Sequence, residues 1–184
     1  TSIDTESLEA HFSKLATGTT GALRGVPYMM QDVFDVAGLP TTCGAPLREL
    51  ISDPSEESSY LYNKLKQLGA CYIGKTTPSE FGINPSGINL TFGNCPHPDG
   101  PKFTLGGGAG AAAASVKSGL VPLSFGLDTL GGVRIPAALQ GLFAFRMENN
   151  RFARDGVFPI APTLDSVGFF TNTLSDLEVT FKAL

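Results

Sequence analysis

Apolar and polar positions follow two different periods along this chain. In residues 59–68, Leu61, Leu65 and Leu68 fall on one face at helical spacing, which predicts an amphipathic helix. Gly69 ends it, and Cys71-Tyr72-Ile73 reads as a short buried strand. Near the start, Leu8, Phe12 and Leu15 punctuate a polar stretch and predict another short helix. With the Gly/Thr run that follows, residues 1–21 read as an N-terminal helix and linker. Residues 23–30 and 33–36 are apolar and β-prone, with Gly38 and Pro40 as turn punctuation. Residues 111–116 predict an alanine-rich helix, 121–125 a strand, and 135–139 the opening of the next helix. Residues 83–105, rich in Pro, Gly and Asn, read as a long irregular excursion. Strands alternate with helices and no repeat is visible, so the fold class predicted is α/β.

Two glycine-rich segments border these elements. Gly106-Gly107-Gly108-Ala109-Gly110-Ala111 precedes the alanine-rich helix, and Gly126-Leu127-Asp128-Thr129-Leu130-Gly131-Gly132-Val133-Arg134-Ile135-Pro136-Ala137 follows the strand. Upstream stand Gly25-Val26-Pro27-Tyr28-Met29-Met30-Gln31-Asp32 and Val36-Ala37-Gly38-Leu39-Pro40-Thr41-Thr42-Cys43-Gly44. Gly74-Lys75-Thr76-Thr77-Pro78-Ser79-Glu80-Phe81 and Leu164-Asp165-Ser166-Val167-Gly168 complete the set. In this order the blocks resemble the amidase signature family, from about residue 22 to the end of the chain. The resemblance implies a mixed β-sheet flanked by helices, the N-terminal part of an amidase-signature fold, in a single truncated domain over residues 1–184.

That family works with a Lys-Ser-Ser triad. Here the lysine falls on Gln31, the first serine on Gly108 and the nucleophilic serine on Gly132. The separation, 132 − 108 = 24 residues, is that of the family's two serines and supports the ungapped alignment. Glutamine cannot take a proton at neutral pH, and glycine can neither relay a proton nor attack a carbonyl. The resemblance therefore implies a pseudoamidase without amide-hydrolase activity. Its expected role is to bind a small carbonyl-containing molecule, with cyclisation, addition or isomerisation as conceivable chemistry. A non-catalytic subunit that stabilises or regulates a larger enzyme, and an amidase with a relocated nucleophile, are the alternatives.

The expected ligand-binding set is Gln31, Gly108, Thr129, Leu130, Gly131 and Gly132. In the family, backbone N–H groups before the serine bind the developing oxyanion, a device that survives loss of the serine. Two glycines in place of serines are expected to leave space, while Leu130 adds bulk. Asp128 and Arg134 are expected to form a supporting ion pair beneath the loop. Thr129 has a hydroxyl but no base nameable from sequence. Cys43 reads as a buried, inert thiol. His11 reads as solvated, and His97 in the excursion as a surface residue that could reach the pocket as an acid or base.

Composition narrows the rest. The chain has 184 residues, enough for one domain with a real core. The hydrophobic share is 42%, with no run long enough to span a bilayer, so a protein free of membranes is expected. The net charge of −4 and the lack of a Lys/Arg cluster argue against nucleic acid. Cys43, Cys71 and Cys95 have no metal-ligand spacing, so neither metal nor cofactor is expected, and a reduced cytoplasmic setting is the simpler reading. A homodimer or a partner chain is expected to cover the edge of a truncated sheet. Gly69-Ala70-Cys71-Tyr72-Ile73-Gly74-Lys75-Thr76 satisfies the phosphate-loop pattern, but a helix precedes it and its centre suits a strand, so it is rejected. Asn89-Leu90-Thr91 is a glycosylation triplet of the kind that arises by chance.

Overall fold

The computed structural model describes residues 21–149 and 151–184. The helix expected around Leu8, Phe12 and Leu15, with His11, lies outside the described residues. Five strands form one mixed sheet: β1 (Pro27–Gln31), β2 (Cys71–Thr76), β3 (Leu123–Asp128), β4 (Phe143–Arg146) and β5 (Ser166–Thr171), in the order β2-β1-β3-β5-β4. β1 runs parallel to β2 and β3, whereas β5 is antiparallel to both β3 and β4.

Side-chain alternation along the strands builds two cores. Tyr28 and Met30 of β1, Phe125 of β3 and Phe169 of β5 face one side and pack with Leu61 and Leu65 of α2 (Tyr60–Gln67). Met29 and Phe170 face the other and pack with α3 (Gly110–Lys117) and α4 (Arg134–Gln140) through Ala112, Ala113, Val116 and Ala137. Helices thus cover both faces of the sheet, as expected. The small side chains of α3 let that helix lie close to the strands.

Local chemistry explains where the elements stop. Ser59 caps α2 by accepting a hydrogen bond from the Tyr62 N–H. Gly69 then takes φ 80°, a left-handed conformation that costs glycine little and ends the helix. The rejected phosphate-loop pattern is accordingly a helix stop followed by β2. Lys75, on β2, is buried, and its Nζ donates to Asp32 Oδ1 (2.8 Å), the Pro40 carbonyl (2.7 Å) and Thr41 Oγ1 (2.9 Å).

Several expectations change. Residues 33–36 form no strand; Phe34 makes only an isolated bridge to Val157, and Val36 one to Leu39. Helices α1 (Pro46–Ile51) and α5 (Leu174–Ala183) and strands β4 and β5 were not predicted. β5 is buried on both faces, so its centre, Val167-Gly168-Phe169-Phe170, lacks the two-residue alternation that marks a half-buried strand. Thr173 starts α5, its Oγ1 accepting from the Asp176 N–H at 3.1 Å. Residues 83–105 contain no helix or strand, as expected. Among the described residues no helix is long and apolar enough to cross a membrane.

Candidate functional site

The two glycine-rich segments meet at the C-terminal end of β3. The first enters α3, and the second leaves β3 and enters α4. A hydrogen bond from the Ala109 N–H to the Gly132 carbonyl (3.0 Å) ties them together. Between them lies a cavity of about 210 Å³. Gly107, Gly108 and residues 129–132 form one part of its wall, and Gly82, Ile83, Asn84, Pro85 and Ile135 complete it. Among the described residues no lysine, histidine, cysteine or serine lines it.

Asp128 shapes the loop from beneath. Its carboxylate is fully buried and accepts from the N–H groups of Gly131 (3.0 Å), Val133 (3.2 Å) and Arg134 (3.1 Å). The Arg134 guanidinium closes on it with two further bonds, Nε to Oδ2 (3.0 Å) and an NH2 nitrogen to Oδ1 (2.9 Å). Arg146 Nε stands 3.4 Å from Oδ1. Burial pushes the Asp128 carboxyl up, but the Arg134 side chain and the N–H groups of Arg134, Gly131 and Val133 outweigh it and hold the group below its usual range. Gly131 needs φ 97°, and a Cβ there would lie 2.7 Å from Ile135 Cδ1, so glycine is required at this turn. Its N–H is committed to Asp128. The donors left on the loop are the N–H groups of Thr129, Leu130 and Gly132, which bond to no acceptor among the described residues.

Thr129 has a partner that the sequence did not reveal. Its hydroxyl donates to Asp165 Oδ1 (2.5 Å), while Asp165 Oδ2 accepts from the Ile160 (2.9 Å) and Ala161 (3.0 Å) N–H groups. Asp165 therefore anchors residues 160–165 to the loop. Leu130 is 71% exposed at the rim.

Gln31 does not line the cavity. It is fully buried, with both amide atoms engaged: Nε2 donates to the Gly108 carbonyl (3.1 Å), and Oε1 accepts from the Leu127 N–H (2.7 Å). It bridges the two segments from behind, which differs from the expectation that it meets a ligand.

The expected gap at Gly108 is also closed. A Cβ on Gly108 would run into the Gly82 carbonyl, and one on Gly132 would lie 2.5 Å from the Leu127 carbonyl oxygen. Gly82 reaches this place through the turn at residues 80–82, in which Phe81 adopts φ 52°; Cys43, in a separate turn, adopts φ 55°, and both lie in a region that residues other than glycine rarely enter. The Phe81 N–H donates to the Cys43 carbonyl (2.8 Å), and the Phe81 ring sits against Phe158 (5.8 Å). Arg48 lies over the other ring, 4.6 Å from the Phe158 centroid.

The remaining candidates fall elsewhere. Cys43 is buried, and desolvation pushes its thiol up to about 12, against a smaller opposing pull from Arg48; this is the inert thiol expected. His97 is buried rather than on the surface, in the wall of a different cavity. Asn89 is buried and its amide donates to the carbonyls of Gly44 (2.8 Å) and Pro78 (2.9 Å), which leaves nothing for a glycan. Among the described residues no group of three or more His, Cys, Asp or Glu could hold a metal ion.

Comparison with known proteins places this geometry. The family model described as Amidase matches residues 3–184. Indoleacetamide hydrolase of Pseudomonas syringae pv. syringae is 37% identical over 163 residues, covering 89% of this chain and 36% of that protein. Urea amidolyase of Saccharomyces cerevisiae is 35% identical over 162 residues, or 88% of this chain and 9% of the relative. The solved allophanate hydrolase of Kluyveromyces lactis superposes with a TM-score of 0.87 at 34% identity, over 98% of this chain and 30% of its own. A structure described as a vestigial protein complex that reveals the origins of an s-triazine catabolic enzyme superposes with a TM-score of 0.93 at 26% identity, over 100% of this chain and 41% of its own. The chain thus spans well under half the length of these proteins.

Proposed function

Because the chain belongs to the amidase family, we propose that it is a pseudoamidase. In this reading it holds a small carbonyl-containing molecule in the cavity between Gly108 and Gly132 and does not hydrolyse it. The observation that carries this reading is the chemistry of the wall. Where the family has base, relay and nucleophile stand Gln31, behind the cavity, and Gly108 and Gly132 in its wall, and the one hydroxyl among the described residues of the wall, on Thr129, donates to Asp165. The free N–H groups of Leu130 and Gly132 suit a carbonyl or enolate oxygen, while Asp128 fixes the loop that presents them. Gln31 supports the site by joining its two segments. Oriented donors without a nucleophile suit a cyclisation, addition or isomerisation. Each neutral hydrogen bond contributes about 0.5–1.5 kcal/mol net, so apolar contact with Ile83, Leu130 and Ile135 must supply most of the affinity.

Three measurements test the reading. A fluorophosphonate probe is expected to leave the protein unlabelled, and a panel of simple amides and esters to remain intact. Turnover abolished by Thr129→Ala or Cys43→Ala would overturn the proposal in favour of a relocated nucleophile. Butyramide and 2-butanone, titrated by NMR, are expected to move the Leu130 and Gly132 amide resonances. Ile83→Trp, which adds bulk at the cavity wall, is expected to weaken them at least about tenfold. Binding that survives this substitution places the ligand elsewhere.

A second reading, a non-catalytic subunit of a larger assembly, is favoured by α1. None of its residues is buried, and it exposes Leu47, Leu50 and Ile51 together. Light scattering at micromolar concentration is expected to show a homodimer or larger species that Leu50→Arg converts to monomer. A monomer before substitution would sink the second reading and leave the first standing. The three unpaired thiols suit a cytoplasmic setting.

A further inference from the structure

A second cavity, of about 480 Å³, lies between α3, β2 and the excursion of residues 83–105, and shares no wall residue with the one beside Gly108 and Gly132. Its size falls in the range of small-molecule sites. One group in its wall is out of balance. His97 is only 7% exposed. Its Nδ1 accepts the Asp99 N–H at 3.0 Å, so in the neutral ring the hydrogen sits on Nε2. That Nε2 is buried and has no partner. A buried donor without an acceptor is destabilising, and such groups are rare enough to require a reason.

The rest of the wall restricts what can supply the acceptor. Among the described residues the one lysine or arginine in the wall, Lys75, has its three hydrogens committed to Asp32, Pro40 and Thr41. Among the described residues no carboxylate lines the cavity. The Ser115 hydroxyl donates to the Ala112 carbonyl (2.7 Å), and Met29, Leu105, Ala111 and Ala114 present apolar surface. A charged guest would lose its hydration with no countercharge to replace it.

We propose that this cavity binds a neutral, mainly apolar small molecule carrying one hydrogen-bond acceptor, which receives the His97 Nε2–H. The inference does not rest on the pseudoamidase reading. The ring packs against Phe103 at 5.3 Å between the exposed Pro96 and Pro98, and the proposal requires it to turn Nε2 toward the cavity on ligand entry.

The test uses four probes of similar shape: acetophenone, ethylbenzene, benzoate and benzylammonium, each titrated into the isotopically labelled protein. Acetophenone is expected to move the Ala111, Ala114 and His97 resonances and to bind about tenfold tighter than ethylbenzene, with both ions weaker still. His97→Phe keeps an aromatic ring without the donor and is expected to reduce acetophenone to the ethylbenzene level. Ala111→Leu places bulk in the cavity and is expected to abolish binding of both. Acetophenone no tighter than ethylbenzene, benzoate tightest, changes confined to residues 129–132, or binding untouched by Ala111→Leu would each overturn the proposal. Should His97→Phe fail to fold, the ranking on the unaltered protein and Ala111→Leu still decide.

Discussion

On the proposed reading, in which Gln31, Gly108 and Gly132 stand where the family has its triad, Gln31→Lys, Gly108→Ser and Gly132→Ser together are expected to give no amide hydrolysis and to unfold the protein. Each position has closed around its present residue. A Cβ on Gly108 collides with the Gly82 carbonyl, and one on Gly132 presses on the Leu127 carbonyl. Those neighbours are backbone, so neither can rotate aside, and each serine is expected to cost about 1–3 kcal/mol as overpacking. Gln31→Lys is worse in kind. Glutamine both accepts and donates here, accepting from Leu127 and donating to Gly108. Lysine only donates, so the Leu127 N–H loses its acceptor and an ammonium is placed where no carboxylate bonds to residue 31, a loss of about 1–3 kcal/mol before the charge is counted. The sum approaches the whole stability of an ordinary domain, about 5–15 kcal/mol. Urea denaturation of the three single variants and phosphonate labelling of the triple variant check this. A cooperatively folded triple variant that labels at position 132 would show that the site had merely lost its side chains.

Much of the architecture was legible because its signals are local. The spacing of Leu61, Leu65 and Leu68, the glycine that stops α2 and the alanines of α3 each act within a few residues. β5 was not legible because Phe169 and Phe170, adjacent in sequence, serve opposite cores. At the site, the motifs located Gln31, Gly108 and Gly132, and five of the six proposed contact residues do line one cavity: Gly108, Thr129, Leu130, Gly131 and Gly132. What the motifs could not supply is how their surroundings respond. Gly82 over Gly108 depends on the left-handed turn at Phe81. The bond between Thr129 and Asp165 joins segments far apart in the chain and needs the β3–β5 pairing to exist at all. A one-dimensional pattern marks which positions resemble a motif, and only packing shows what surrounds them.

Asp128→Ala is expected to be the most destabilising single change near the cavity, at about 2–6 kcal/mol, because the buried Gly131 and Val133 N–H groups each lose an acceptor at about 1–3 kcal/mol, while the mostly exposed Arg134 adds little. The carboxylate holds three N–H groups of the 131–134 turn and both arms of Arg134, with Arg146 close by. Alanine leaves all of them without an acceptor beneath a loop that cannot easily rearrange around Gly131. Asp128→Asn keeps the shape and one acceptor oxygen, and is expected to lose less. The pH dependence separates this explanation from a simple packing defect. Hydrogen bonds outweigh burial and depress the folded-state pKa of Asp128, so the unfolded chain binds the proton more readily. The stabilisation is then fully present above the unfolded value, about 3.9, and is lost as pH falls through the lower folded value. Urea midpoints taken from neutral pH downward should therefore show the gap between the unaltered protein and Asp128→Ala narrowing below about pH 4. A gap that stays constant with pH, or a loss at neutral pH below about 1 kcal/mol as for a surface pair, would remove Asp128 from its role as the support of the loop.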